Sequence, residues 1–94
     1  MKLEKMFAQS ESEYRKFASV ENKRSRRPDM HAFLLLDELC PSEGHMVQHA
    51  SKYEIFLAPD VQKLEKVITQ DQVTELVRCG VRYDAEFGCL MLHV

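Results

Sequence analysis

The carboxy-terminal stretch over residues 53–94 constrains the fold most, because each of its boundaries has a physical cause. Residues 53–58 place successive side chains on opposite faces, as a β-strand does. Pro59 ends this strand because it has no N–H to donate to a sheet. Asp60 then offers a side-chain oxygen to the free amides at a helix start. The pattern therefore predicts a helix over 60–68.

A second helix is predicted over 69–79. Thr69 and Gln72 match the capping box, in which each side chain accepts a hydrogen bond from the other residue's backbone amide. Gly80 stands where a left-handed residue commonly ends a helix. Because almost no linker separates this helix from the one over 60–68, the two must meet at a corner, as in a helix-turn-helix.

The last residues, 81–94, are predicted to form an antiparallel hairpin. Side chains alternate on both sides of 84–88, which holds the only turn residues of this part of the chain. Val94 falls within the second strand. We therefore expect the carboxy terminus to be tied into the sheet.

The amino-terminal part is predicted to be a helix and a basic linker. Apolar residues recur at helical spacing over 1–22, although a capping box at Ser10 is an alternative start for this helix. Residues 23–29 carry the strongest charge bias of the chain, and Pro28 disfavours helical backbone at Arg27. We therefore interpret 23–29 as a linker or arm.

The residues between this linker and the first strand are predicted to form two more helices. The first covers 31–40, with Asp29 as its cap and Pro41 as its stop. The second is short and covers 45–51. The sequence thus predicts an α+β domain over 30–94, in which a three-stranded antiparallel sheet packs against three or four helices. Its expected core is Phe33, Leu35, Leu36, Leu39, Ile55, Leu57, Leu64, Val67, Val73, Leu76, Val77, Val81, Leu90 and Leu92.

Composition narrows the class of protein. The chain has 94 residues and a formal net charge of −2, so it has no global attraction to nucleic acid or to anionic membranes. Its three cysteines lack C-x-x-C spacing, which indicates a reducing compartment. No apolar run suits a membrane span or a secretory signal. We expect a cytoplasmic domain with no membrane partner.

Catalytic and metal-binding patterns are weak. Cys40, His45 and His49 read C-x4-H-x3-H, and Cys79 would be a fourth zinc ligand if its helix packed nearby. Buried thiols and exposed histidines explain the same residues. No phosphate-binding loop or nucleophile motif is present. We therefore expect a protein that is not an enzyme and that holds no cofactor.

The order of the predicted elements resembles that of the winged-helix DNA-binding fold. The order is helix (31–40), strand (53–58), helix (60–68), helix (69–79) and hairpin (81–94). The resemblance implies that the helix over 69–79 would be the recognition helix and the hairpin the wing. Both carry slightly acidic exposed positions, so the basic segment would have to supply most phosphate contacts. Its basic residues are Lys23, Arg24, Arg26 and Arg27.

A protein-binding function fits these charges better than DNA binding. Strand alternation puts Phe56 on the face opposite Ile55 and Leu57, and Phe87 lies in the predicted turn. Each is either covered by the N-terminal helix or part of an interface. We expect a small intracellular regulator, an adaptor or inhibitor of the kind that phages and plasmids often encode. DNA binding is the alternative, and pairing of strand edges would allow a homodimer.

Overall fold

The computed structural model describes residues 2–93, which contain four α-helices and four β-strands joined by loops and two short 3-10 turns. The α+β class and the antiparallel sheet are confirmed, but the predicted number of three strands is wrong. The elements are α1 (Lys2–Gln9), α2 (Pro28–Leu39), β1 (Val47–Ala50), β2 (Glu54–Leu57), α3 (Val61–Val67), α4 (Gln70–Arg78), β3 (Val81–Asp84) and β4 (Cys89–His93). Val94 lies outside the described residues, so its predicted place in the sheet is not tested.

The sheet has the strand order β1-β2-β4-β3 and is antiparallel throughout. Ile55, Leu92 and Val81 lie side by side across β2, β4 and β3. Their face packs on the helices and is called the inner face. The next row, which contains Phe56, Met91 and Arg82, points the other way. It belongs to the outer face.

Strand β1 replaces the helix predicted over 45–51. It pairs with β2 in a hairpin that the Ser51 amide closes on the Glu54 carbonyl at 2.8 Å, and its register shifts between Val47 and His49. The segment is too short for apolar spacing to separate a helix from a strand, and pairing with β2 decides its form. Because this strand precedes β2, the winged-helix order is not confirmed.

The helix predicted over 1–22 is wrong after the end of α1. Two single 3-10 turns follow instead, at Glu11–Glu13 and Phe17–Ser19. The Ser10 hydroxyl lies 2.6 Å from that of Thr74 in α4, so it does not cap a helix start. A helix cannot continue through Arg15, whose φ of 63° is left-handed.

Helix α2 begins three residues earlier than predicted. Pro28 occupies its first position, where a missing N–H costs nothing, and Arg27 before it is extended. The predicted cap Asp29 lies inside the first turn, where its Oδ1 accepts from the Met30 amide at 2.8 Å. Pro28 and Asp29 therefore belong to a helix rather than to the predicted linker over 23–29.

The corner between α3 and α4 forms as predicted. Asp60 caps α3 through the Gln62 and Lys63 amides. In the capping box of α4, Thr69 Oγ1 accepts from the Gln72 amide at 3.2 Å and Gln72 Oε1 accepts from the Thr69 amide at 2.9 Å. Both predicted helix starts are confirmed.

The core lies between the inner face and the helices. Most predicted members are buried or packed against it, and α1 adds Leu3 and Phe7. Val67 is wrong, since 52% of its surface is exposed. The chain leaves the helix at Ile68, whose backbone is extended and whose side chain turns into the core instead.

Candidate functional site

The outer face carries the largest exposed aromatic side chains of the described residues. Phe87 is 66% exposed and Tyr53 is 56% exposed. Phe56, next to Phe87, is 8% exposed and lies outside the core that the helices share with the inner face. This arrangement leaves rings at the surface of a hydrogen-bonded sheet.

Ring contacts join these residues. Phe87 meets Phe56 edge to face, with ring centres 5.2 Å apart, and His49 lies 5.8 Å from Phe56 on its other side. Tyr53 stacks on His93 at 6.4 Å. We call this set, His49, Tyr53, Phe56, Phe87 and His93, the outer-face patch. The contacts form two groups, one of His49, Phe56 and Phe87 and one of Tyr53 and His93, and packing within each group lowers the entropy cost of binding.

The β3–β4 turn positions Phe87. Asp84 Oδ1 accepts from the amides of Glu86 at 2.9 Å and of Phe87 at 3.4 Å. Gly88 follows with a φ of 63°, and its amide donates to the Asp84 carbonyl at 2.8 Å. These bonds fold the turn back so that the Phe87 ring lies against the sheet. An Asp is suited to this turn because its side chain reaches amides two and three residues ahead.

The structure brings the rings of Phe56 and Phe87 into contact. One alternative from the sequence was that the N-terminal helix covers these two residues. Instead, α1 packs on α3, α4 and β3, and the rings next to Phe56 are those of His49 and Phe87. Tyr53 was not predicted as a site residue. Its place as the first residue of the strand predicted over 53–58 was the available signal, and in the structure it immediately precedes β2.

The basic segment is partly docked. The Arg24 amide donates to His31 Nδ1 at 3.0 Å, and the Arg24 guanidinium pairs with Glu38. Lys23 Nζ donates to the Val20 carbonyl at 2.9 Å and lies over the Phe17 ring. Arg26 and Arg27 are exposed. Half of the predicted basic contacts are therefore engaged within the molecule.

His31 is the buried polar residue that anchors this segment. Its side chain is fully buried, its ring meets Phe17 edge to face, and its Nε2 lies 3.4 Å from Glu75 Oε1. Nδ1 accepts from the Arg24 amide, so the nitrogen that faces this carboxylate is Nε2. In the sequence, His31 stands out only as the first residue of the helix predicted over 31–40.

The four residues of the zinc hypothesis are spread over the fold. Cys40 follows α2, His45 lies in a loop, His49 belongs to the outer-face patch and Cys79 follows α4. The predicted helix that would align both histidines is absent, since β1 occupies that segment. Within residues 2–93, no three side chains of the His, Cys, Asp or Glu type are grouped so that they could hold a metal ion.

Two cysteines have raised thiol pKa values. Burial raises the pKa of Cys79 to about 12, and the nearby Glu75 carboxylate adds to the shift. Burial also raises the pKa of Cys89, with a further contribution from Asp84. Both thiols are protonated at neutral pH and are therefore poor nucleophiles.

Comparison of the chain with models of protein families, with curated proteins and with solved structures finds no match. None of the helices within residues 2–93 has the length and apolar character needed to cross a bilayer.

Proposed function

We propose that the protein is a small cytoplasmic regulator, an adaptor or inhibitor, that acts without catalysis by binding another protein through the outer-face patch. The observation that carries this proposal is the Phe87 ring, which is 66% exposed yet fixed by its turn and by Phe56. Contacts with its own turn and with Phe56 leave this exposed ring less torsional freedom to lose when a partner binds.

Aromatic side chains supply much of the binding energy at protein interfaces, because they bury a large apolar area while few torsions become fixed. In the outer-face patch, Phe87 and Tyr53 offer this area, whereas the imidazoles of His49 and His93 offer polar atoms beside it. An apolar centre with polar neighbours is the usual composition of a binding surface.

Affinity capture from lysate of the native host, with and without nuclease, tests the proposal. Wild type should retain a stoichiometric protein partner after nuclease treatment, and Phe87→Ser/Tyr53→Ser should lose it. Val67→Ser is the matched control, because it removes a similarly exposed apolar side chain from α3. Loss of the partner by the control, or its retention by the double variant, would contradict the outer-face patch as the binding site.

DNA binding through the basic segment is the second candidate function. The exposure of Arg26 and Arg27 next to the start of α2 favours it. Binding to duplex DNA should then fall steeply with salt and disappear when Lys23, Arg24, Arg26 and Arg27 are changed to Ala. A homodimer through the outer edge of β1 is a further arrangement, and light scattering over a range of protein concentrations tests it.

A further inference from the structure

A crevice of about 440 Å³ runs between α1, the turn that follows it and the strand β3. Its apolar floor includes Phe7, Val77 and Val81, which are all buried. The rings of Tyr14 and Tyr83 also line it. The crevice lies at the end of the sheet opposite β1 and does not include the aromatic rings of the outer-face patch.

We propose that this crevice binds an extended segment of a partner protein that bears arginine or lysine, and that the segment pairs with the edge of β3. Strand β3 is the last strand on its side of the sheet, and within residues 2–93 no strand pairs with its outer edge. An unpaired edge presents backbone donors and acceptors to an added strand. Alternate side chains of that strand would enter the crevice.

The charge of the crevice selects a cationic segment. Four carboxylates line it, those of Glu4, Glu11, Glu54 and Asp84, against the single guanidinium of Arg82. Glu4 also raises the pKa of Tyr83, after the larger effect of burial on this phenol. The excess of carboxylates gives the crevice a negative charge, which a positive side chain would offset.

The lining of the crevice already holds a guanidinium of the chain itself, between an aromatic ring and a carboxylate. The Arg82 guanidinium lies over the Tyr14 ring, 4.7 Å from its centre, and 3.7 Å from Glu11 Oε1. Arg15 also contacts this ring, at 5.4 Å. An aromatic face beside a carboxylate is a favourable site for arginine.

Fluorescence anisotropy with a dye-labelled peptide of repeated valine–arginine pairs tests the proposal. This peptide should bind, and a valine–glutamate peptide of equal length should not. Glu4→Lys/Glu54→Lys should weaken binding about tenfold, since two attractions become repulsions. Glu43→Lys/Glu86→Lys is the control, because it changes net charge equally at two exposed positions outside the crevice. Thermal melts test whether both double variants fold. If Glu4→Lys/Glu54→Lys does not fold, Glu4→Gln/Glu11→Gln takes its place.

Two further peptides separate this site from other modes of binding. A peptide with proline in place of each valine loses every second backbone N–H and has the φ of those residues fixed at about −65°, which fits a paired strand poorly, so it should bind much more weakly. Spermine at equal charge concentration should displace the valine–arginine peptide poorly. The proposal would be overturned if the proline peptide bound as tightly as the valine–arginine peptide, or if spermine displaced the labelled peptide as well as the unlabelled peptide does. An equal loss of affinity in the two lysine double variants would also overturn it. None of these results depends on Phe87.

Discussion

The two faces of the sheet differ in what covers them. On the inner face, Leu57 and Leu90 are fully buried beneath the helices. On the outer face, Phe56 is covered by other side chains of the patch, and Phe87 and Tyr53 remain largely exposed. The inner face therefore supplies most of the apolar burial that stabilises the fold, and the outer face is available for contacts with other molecules.

On the helix side of the sheet, the N-terminal segment is held both by apolar packing and by hydrogen bonds and ion pairs. α1 inserts Leu3 and Phe7 into the core, whereas the turns after it are held by polar bonds. The Ser10 hydroxyl contacts Thr74, and Glu13 accepts two hydrogen bonds from Arg78. Apolar packing and charge pairing thus stabilise neighbouring parts of one layer, and they respond differently to mutation and to pH.

The largest effect is expected for Leu76→Asp. Leu76 is fully buried in α4, so the variant places an unpaired carboxylate in the core and leaves part of its volume empty. Because a small domain has only about 5–15 kcal/mol of stability, we expect the variant not to fold. Circular dichroism measures this directly. Val67→Asp is the control on an exposed face, and a Leu76→Asp protein that melts like wild type would show that this helix face is misassigned.

A smaller loss of stability is expected when residues on the two faces of one strand are changed to alanine, and it should differ between the faces. Leu90 and Met91 are neighbours in β4 and point to the inner and the outer face. Leu90→Ala should cost about 2–5 kcal/mol, as for other buried leucines, and Met91→Ala less than half as much. Urea denaturation of both variants gives the free energies of unfolding. Equal costs would mean that the outer face stabilises the fold as much as the inner face does.

The fold was predictable where local chemistry decides the structure. Asp60, Thr69 and Gly80 mark the ends of helices through bonds with residues close in sequence, and these boundaries are found as predicted. Strand β1 was not predictable in this way, because its form depends on pairing with β2. Ser10 matches a local capping box, yet it bonds to Thr74, far along the chain, instead.

The candidate site was predictable in part for the same reason. Strand alternation placed Phe56 on the face opposite the core, and turn composition placed Phe87 beside a strand end. Their contact at 5.2 Å required knowledge of how β2 and β4 pair. The crevice beside β3 gave no sequence signal, because Glu4 and Asp84 come from opposite ends of the chain and meet only through tertiary packing.

The smallest expected effect is the change in the free energy of unfolding on acidification that comes from Glu13 in the N-terminal segment. Hydrogen bonds from Arg78, and then from Lys16, hold the pKa of Glu13 below its ordinary value of 4.5. The ionised form is therefore favoured by folding, so its contribution to stability is complete above about pH 4.5 and is lost as pH falls through the lowered pKa. Urea denaturation at several pH values should show a shallower loss of stability on acidification for Glu13→Gln than for wild type. Glu86→Gln, in the exposed β3–β4 turn, should keep the wild-type slope, and an unchanged slope in Glu13→Gln would mean that this ion pair does not couple folding to pH.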